Sequence, residues 1–443
     1  MNLYLKSLGC RLNEAELENW AAAFQARGHA LVEKSTTADV IILNTCAVTR
    51  EAVKKSRQLI RKSHRYNPRA KLVVSGCYAS LGPDLGKDLT EIDLLVPNQN
   101  KDRLAEIVQE KLMPETMSVM ATGPGVDALY QRGRHRAFIK IQDGCRNRCT
   151  FCIVTIARGR ERSRSVREII DQLNRVHEQG IMEAVITGVH VGGYGSDIDS
   201  DLYSLIRAIL KETEIPRLRL ASVEPWDLPD KFLELFENER MMPHLHLPLQ
   251  SGSDFVLRAM ARRCKTADYA RLVSRARAAI PDFNVTTDII VGFPGETDSE
   301  WRRGREFIAS MGFGNIHIFP YSARAGTRAA TLPDQIDPIT KKQRCQQLAE
   351  LSRQMKKAYL LQQVGNNKQV LIEFTQQSAK THRNQCVGYT PEYNRVQIEA
   401  RPDKSILNKI KEVTILSLNK SEDSLTARLS GTLEGGRDLP SLG

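Results

Sequence analysis

The sequence has no apolar run approaching the roughly 18 residues that a membrane-spanning helix requires. It has no internal repeat and no low-complexity tract. Its opening, Met1-Asn-Leu-Tyr-Leu-Lys-Ser-Leu-Gly-Cys10, lacks the basic segment and apolar core of a secretion signal and reads at once as a strand. The expectation is a cytoplasmic protein with no membrane role. Extremes of composition are missing too. With 41% apolar and 26% charged residues, the chain is neither disordered nor a disulfide miniprotein. Its nine cysteines are an odd number. In a cytoplasmic chain they are expected as reduced thiols with metal-binding or catalytic work rather than as disulfides.

What is in excess is positive charge: 64 Lys and Arg against 52 Asp and Glu, a net +12. That points to an anionic partner, most simply nucleic acid. The excess is concentrated, because residues 132–167 hold eleven Lys and Arg against two Asp and Glu. Within that stretch Arg158, Arg160, Arg162 and Arg164 alternate. On an extended segment all four would face one side and form a rim for phosphates. Part of the charge would instead balance an anionic metal cluster.

The length of 443 residues allows about three domains. Residues 1–125 alternate short apolar strands (Leu3–Leu8, Val40–Leu43, Leu72–Ser75) with helical spacing over Glu14–Arg27 and Ala52–Arg65, which predicts an α/β domain with a parallel sheet. Residues 113–130, with Pro114, Gly123, Pro124 and Gly125, read as a linker. Over 131–362 the alternation lengthens. Strands are predicted at 137–142, 183–188, 217–223, 244–249, 285–291 and 314–319, with helices between them such as Pro229–Glu239. Six such units fit a partial (β/α)6 TIM-like barrel, closed by a charged helix over 337–364. Residues 363–431 change character and predict a small all-β barrel, with strands at Gln369–Phe374, Arg395–Ile398 and Glu412–Leu418 and turns at Gly388 and Arg401-Pro402. Residues 432–443 form a tail.

Two sets of cysteines carry the chemistry. Cys10, Cys46 and Cys77 each end a predicted strand. In a parallel sheet those ends share one edge, where ligand sites form. Gly9 and Gly76 would let the backbone approach a bulky ligand. Three soft thiolates suit an iron–sulfur cluster or zinc, although any one of them read alone is more simply a buried structural thiol. The second set, Gly144-Cys145-Arg-Asn-Arg-Cys149-Thr-Phe-Cys152, directly follows the first barrel strand. One loop can wrap three such thiolates around one cluster on the face where barrel enzymes act. Zinc is the weaker fit, since structural zinc usually takes four protein ligands. Cys264, Cys345 and Cys386 match no cluster motif.

The CxxxCxxC loop after the first barrel strand resembles the radical S-adenosylmethionine (SAM) superfamily. The flanking text is more specific. Ile153-Val-Thr-Ile-Ala-Arg-Gly159, His244-Leu-His-Leu-Pro-Leu-Gln-Ser-Gly-Ser253, Met260-Ala-Arg-Arg263, Thr287-Asp-Ile-Ile-Val-Gly-Phe-Pro-Gly-Glu-Thr297 and Phe319-Pro-Tyr-Ser-Ala-Arg-Ala-Gly-Thr327 follow in order. Together with Cys10, Cys46 and Cys77 they resemble the radical SAM methylthiotransferases over nearly the whole chain. Gly388-Tyr-Thr-Pro-Glu-Tyr-Asn-Arg-Val396 is similar to that family's RNA-binding TRAM domain.

The resemblance implies two [4Fe–4S] clusters: a SAM-binding one on Cys145, Cys149 and Cys152, and an auxiliary one on Cys10, Cys46 and Cys77 that carries the sulfur. It implies that SAM yields a 5′-deoxyadenosyl radical, which takes hydrogen from C2 of an adenine in the tRNA anticodon arm. It also implies an electron donor such as flavodoxin or ferredoxin, while the sulfur donor stays open. By position, Phe151 would pack on the SAM adenine. Thr187 and Gly188 would meet the SAM amino group, and Glu224 its ammonium or a ribose hydroxyl. Gln250, Ser251, Asp288 and Phe319 would complete the pocket. Thr187-Gly-Val-His-Val-Gly-Gly-Tyr-Gly195 looks most like the branch acting on N6-threonylcarbamoyladenosine. The alternatives are isopentenyladenosine in tRNA, a ribosomal-protein aspartate, and, in another class, a non-catalytic metal-stabilised RNA-binding protein. His190 reads equally as a substrate contact or a structural histidine. Asn13 and Glu16 match the family's opening motif without an evident physical role.

Overall fold

The computed structural model describes residues 1–81, 91–112, 135–377, 384–398 and 406–430. The expected linker, the Arg401-Pro402 turn and the tail lie outside the described residues. A run such as Val40-Ile-Ile-Leu43 has no polar face, so it belongs in a sheet covered on both sides. In the first part β1 (Asn2–Ser7), β2 (Ala30–Leu31), β3 (Val40–Thr45), β4 (Lys71–Gly76) and β5 (Leu94–Val96) form an all-parallel sheet in the order β2-β1-β3-β4-β5. Helices α1 (Arg11–Gln25), α2 (Arg50–Tyr66), α3 (Cys77–Ser80) and α4 (Leu104–Leu112) connect the strands. One core layer contains Leu3, Trp20 and Phe24, and the other Ile41, Ile60 and Leu72.

The second part opens with β6 (Arg136–Lys140). A two-residue ribbon of β7 (Gln142–Asp143) and β8 (Arg162–Ser163) then brackets the cysteine loop and α5 (Val154–Arg158). After α6 (Val166–Glu178) the strands β9 (Glu183–Thr187), β10 (Arg217–Leu220), β11 (His244–His246), β12 (Asn284–Val291) and β13 (Asn315–Pro320) complete the series. β6, β9 and β10 pair in parallel, as do β11, β12 and β13. Single bridges, Leu218 to Met241 and Ser222 to His246, join the halves into an open six-stranded barrel. Helices α7 (Leu202–Glu212), α8 (Asp254–Ala259), α9 (Thr266–Ala279), α10 (Asp298–Ser310) and α11 (Pro338–Leu361) surround it. Side chains of Ser165, Asp201, Ser253, Thr297 and Asp337 cap helix starts by accepting from backbone N–H groups. The predicted helix over Pro229–Glu239 is instead a 3-10 segment, Asp230–Glu237, whose tighter turns fit a short connection starting on a proline.

The last part is a closed barrel of β14 (Asn367–Gln377), β15 (Asn384–Tyr389), β16 (Arg395–Ile398), β17 (Ile410–Leu418) and β18 (Leu425–Leu429), in the order β14-β15-β16-β18-β17. Gly388 does not form the expected turn. It lies inside β15, paired with Ile372 and Val396. A Cβ there would stand 2.3 Å from the Leu371 carbonyl oxygen, so glycine serves a close strand approach.

This small barrel docks against the amino ends of the larger barrel's strands. Arg217 donates to the carbonyls of Gln369 (2.7 Å) and Tyr389 (3.2 Å), and Asn284 to that of Glu392 (2.8 Å). Arg136 pairs with Glu373 at 2.5 Å and lies 4.3 Å from the Tyr389 ring centre. Because charged donors to carbonyls are worth more than neutral ones, Arg217→Met should lower unfolding stability by about 2–3 kcal/mol. It should also speed amide hydrogen exchange in β14 and β15 while leaving β1 and β3 unchanged. Unaltered exchange in β14 and β15 would show that these contacts do not hold the docking.

Candidate active site

The three strand-end cysteines meet as expected. Cys10 follows β1, Cys46 follows β3 and Cys77 starts α3 directly after β4, three neighbouring parallel strands. Cys46 and Cys77 are buried, and Cys10 lies at the cavity surface. Burial pushes the Cys46 thiol up to about 11, and the neighbouring Cys77 and Cys10 push the same way. The backbone of Cys46 is held by Ser56 of α2, which accepts from its N–H (3.2 Å) and donates to its carbonyl (2.8 Å). The two glycines serve the chain itself rather than a ligand. A Cβ on Gly9 (φ +124°) would stand 2.8 Å from Cys46 Cβ, and one on Gly76 (φ +94°) 2.3 Å from the Thr45 carbonyl oxygen.

The second cysteine loop is braced from both ends. Gln142 donates to the carbonyls of Asp143 (2.9 Å) and Gly144 (2.7 Å) and accepts from the N–H groups of Val189 and His190. His190 lies between Glu161 (2.5 Å) and Asp227 (2.6 Å), with Asn147 of the loop at 3.1 Å. Burial opposes its protonation, but hydrogen bonds to Asp227 and Glu161 outweigh that and raise its pKa. His190 is thus a brace for the loop. Burial pushes Cys145 up to about 11 and Cys152 up to about 12. Arg262 touches Cys149, donates to both oxygens of Glu224 (3.0 and 2.6 Å) and lies 4.3 Å from the Trp226 ring centre. Glu224 therefore already has a cationic partner, which the sequence reading did not supply. Two groups of three clustered soft thiols, each needing positive charge to ionise, fit a pair of iron–sulfur clusters with one iron of each left open.

A cavity of about 1010 Å³ lies between the two parts. Cys10, Cys46 and Cys77 line one side, and Thr187, Gly188, Glu224, Gln250, Asp288 and Phe319 line the other. Gln250 holds a left-handed backbone (φ +73°), an uncommon conformation for a residue with a side chain, in a single bridge to Ile289 four residues beyond β11. Phe151 is not at the cavity. It packs on the apolar cluster of Val256, Met260, Phe293 and Tyr321. Ser251 is also turned inward, buried and accepting from the Ser253 N–H at 3.2 Å.

The expected arginine rim is corrected. Arg158 is 2% exposed, because α5 turns it inward beneath the first cysteine set. There it donates to Asn13 (2.8 Å), Glu16 (2.8 Å) and Asp143 (2.9 Å). Lys101 also pairs with Glu16 and, at 3.0 Å, with Asp143; Lys140 reaches Asp143 at 3.0 Å. All five charged groups are buried. Lys140 also reaches Asp102 at 3.0 Å, and Arg158 lies next to Cys10 and Cys77, whose thiolates it would balance. Asn13 and Glu16 gain a physical role: they anchor Arg158 to α1. Arg164 is half-buried, donating to the Lys140 carbonyl (2.8 Å) and Gln172 (2.6 Å), so only Arg160 and Arg162 of the four are exposed. The alternation reads as an exposed strand, but only Arg162 lies in one, the two-residue β8.

The radical SAM superfamily profile matches residues 139–308, and the Uncharacterized protein family UPF0004 matches residues 2–97. Threonylcarbamoyladenosine tRNA methylthiotransferase MtaB of Bacillus subtilis is 35% identical over 420 residues, covering 93% of this chain and 92% of that one. The chain belongs to the radical SAM methylthiotransferase family. The protein of the same name from Thermotoga maritima is 35% identical over 84% of this chain and 86% of its own. A tRNA-2-methylthio-N(6)-dimethylallyladenosine synthase of Bacillus velezensis is 31% identical over 98% of this chain and 86% of its own. Among solved structures, the radical SAM methyltransferase TsrM from Kitasatospora setae superposes with a TM-score of 0.55 at 16% identity, over 74% of this chain and 75% of that one, which shows the fold alone. The cofactors of this methylthiotransferase are SAM and two [4Fe–4S] clusters. Among the described residues no helix is long and apolar enough to cross a membrane.

The buried network makes the methylthiotransferase acid-sensitive. Burial alone would raise the Glu16 carboxyl, but Arg158, Lys101 and Lys140 outweigh it and hold it at about 2. A depressed carboxylate stabilises the fold fully above its ordinary value of 4.5 and loses that contribution as pH falls towards about 2. Melting temperature should therefore drop across that window. Glu16→Ala should remove roughly 3–5 kcal/mol at neutral pH, by leaving buried cations short of an anion, and should flatten the acid limb. An acid limb identical to that of the unmodified protein would refute this role of Glu16.

Proposed function

We propose that this protein adds a methylthio group to C2 of N6-threonylcarbamoyladenosine in the tRNA anticodon arm. The observation that carries the reading is the single cavity bounded by Cys10, Cys46 and Cys77 on one side and by barrel strand ends on the other. In this reading Cys145, Cys149 and Cys152 hold the SAM-binding cluster, and the first set holds the sulfur-carrying one. Bound there, the cofactors supply the one-electron chemistry that opens an unactivated C–H bond and the sulfur that replaces the hydrogen. The chain itself contributes position. Gln142 and His190 fix the loop bearing Cys145, Cys149 and Cys152. Thr187, Gly188, Gln250, Asp288 and Phe319 face the space where SAM and the target base meet. Arg158 supplies positive charge beneath Cys10 and Cys77, and burial keeps water from the reacting carbon.

The threonylcarbamoyl reading is supported by the 35% identical relatives that carry that name, and polar groups are present on the cavity wall. His246, Asp288 and His317 line it, with His246 3.2 Å from Asp288. RNA docking falls to the exposed cations. Helix α2 carries seven Lys and Arg against one acidic residue, and its first residue, Arg50, donates its backbone N–H to Ser322 at 3.4 Å, across the two parts. Arg160 and Arg162 are exposed as well.

In a strain lacking the protein, tRNA nucleosides analysed by mass spectrometry should have lost methylthio-threonylcarbamoyladenosine. The wild-type gene should restore it, and Cys149→Ala or Cys46→Ala should not. In vitro, Cys149→Ala should abolish SAM cleavage, whereas Cys46→Ala should retain it. Retained modification in the deletion strain, with no redundant enzyme, would overturn the substrate. Replacing Lys54, Lys55, Arg61 and Lys62 with Gln should weaken tRNA binding several-fold and lower its salt slope by up to about 3–4. An unchanged slope would exclude α2 as the docking surface.

A further inference from the structure

One electron from outside the chain starts the proposed reaction, and it has to reach the cluster on Cys145, Cys149 and Cys152. Electron transfer slows steeply with distance, so its donor must come close to that loop. The cavity cannot be the approach, because SAM and the target base fill it during the reaction. The outer side of the cysteine loop is the other way in. Cys145, Cys149 and Cys152 are half-buried, and none of the three lines the cavity.

Thr150 gathers that side. It lies between Cys149 and Cys152; its N–H donates to the Met260 carbonyl (3.0 Å), its hydroxyl donates to the Ala259 carbonyl (2.9 Å), and its own carbonyl accepts from the Ala329 N–H (2.8 Å). Three segments far apart in sequence are thus tied together at the cysteines. Each brings an exposed arginine within two residues of the tie: Arg148 from the loop, Arg258 from α8 and Arg328 from the stretch after β13. Over 145–156, 254–263 and 324–331 there are seven arginines and one acidic residue, Asp254. Arg262 is taken by Glu224, and Arg146 lies 3.5 Å from Glu161. Arg148, Arg258, Arg263 and Arg328 are exposed and make no ion pair among the described residues. Two large apolar side chains are exposed among them: Phe255, one helical turn before Arg258, and Ile156, whose Cδ1 would touch a Cβ on Gly326 at 3.3 Å.

We infer that this face docks a small acidic electron-carrier protein of the flavin or iron–sulfur class, with Arg148, Arg258 and Arg328 as its charge contacts. The inference rests on the assignment of the SAM-binding cluster to Cys145, Cys149 and Cys152 and adds the partner that serves it. The step is a bare electron transfer: the carrier's reduced cofactor loses one electron, the cluster gains it, and no bond forms or breaks. The exposed apolar side chains favour a protein over RNA phosphates. Protein interfaces seat apolar and aromatic contacts within a polar rim, whereas a phosphate backbone is held by cations and hydrogen-bond donors. Opposite charge steers the encounter and speeds association, and salt weakens it. A donor that delivers one electron and leaves is well served by such a small, fast, charge-led contact.

The test uses the full chain with both clusters reconstituted anaerobically, and flavodoxin as the probe. Titration calorimetry at low and high salt should show wild-type binding that weakens with salt. R148E/R258E/R328E should bind flavodoxin about tenfold or more weakly. Reduction of the cluster by reduced flavodoxin, followed by electron paramagnetic resonance, should slow by a similar factor, while reduction by dithionite, a small inorganic donor, should not change. Binding of an anticodon stem-loop should also stay as it was. Where the triple reversal lowers melting temperature or iron content, R148Q/R258Q/R328Q takes its place, with an expected loss of about threefold or more. Unchanged flavodoxin binding in a folded variant overturns the assignment, and so does a wild type that binds neither flavodoxin nor an acidic ferredoxin. A loss of stem-loop binding as large as the loss of flavodoxin binding gives the face to RNA and overturns it as well. These outcomes leave the tRNA substrate reading standing. If dithionite reduces no cluster that depends on Cys149, the assignment of the loop falls and takes the docking face with it.

Discussion

The arrangement depends on one buried ionic contact, the pairing of Arg158 with Glu16 and Asp143. Arg158 belongs to the segment that leaves the second cysteine loop, Glu16 to the helix that leaves Cys10, and Asp143 to the strand that enters the loop. The contact therefore fixes one cysteine set relative to the other across two folding units. In low dielectric such a contact is strong only if every member is satisfied. Lys101, Lys140, Asn13 and Asn44 complete it, with Asn44 donating to Glu16 at 2.9 Å. An uncharged core would hold the units together as firmly. It would not place the Arg158 guanidinium beside Cys10 and Cys77.

Strand polarity does the rest. Both the sheet and the barrel are parallel, so each collects its strand ends on one edge, and the two edges face each other over the cavity. The opposite ends of the barrel strands carry Arg136, Glu183, Arg217, His244 and Asn284 instead of the aliphatic layers that usually fill such a bore. That polar lower layer is what the C-terminal barrel docks against, through carbonyl groups and the rings of Tyr389 and Tyr393.

Much of this was legible in the sequence, because local rules carry it. Continuous apolar runs gave the parallel strands, and cysteines placed at their ends gave the convergence. Six barrel residues, Thr187, Gly188, Glu224, Gln250, Asp288 and Phe319, were placed at the cavity by their positions along the strands. The failures share a cause: facing and burial are not local. Arg158 looks like one of four alternating surface arginines until α5 turns it inward. Ser251 lies beside the cavity residue Gln250 in sequence and points away in space. β15 and β18 were missed because short amphipathic strands in a small barrel have little pattern, and Gly388 was mistaken for a turn because a glycine that permits strand crowding looks the same. Gln142 and Arg262 carried no separate signal, since one polar residue in or beside a strand does not disclose its partner.

Helix α2 has a further consequence. Its outer face is a row of cations, while its inner face carries Ser56, which grips both backbone groups of Cys46. The helix is thus a lever with a cysteine on its short arm. Whatever steadies the outer face also steadies the thiol, and whatever is bonded to the thiol steadies the helix. By reciprocity the two occupancies share one coupling free energy. A polyanion on the surface and a metal centre below it would each make the other bind more tightly, although they never touch.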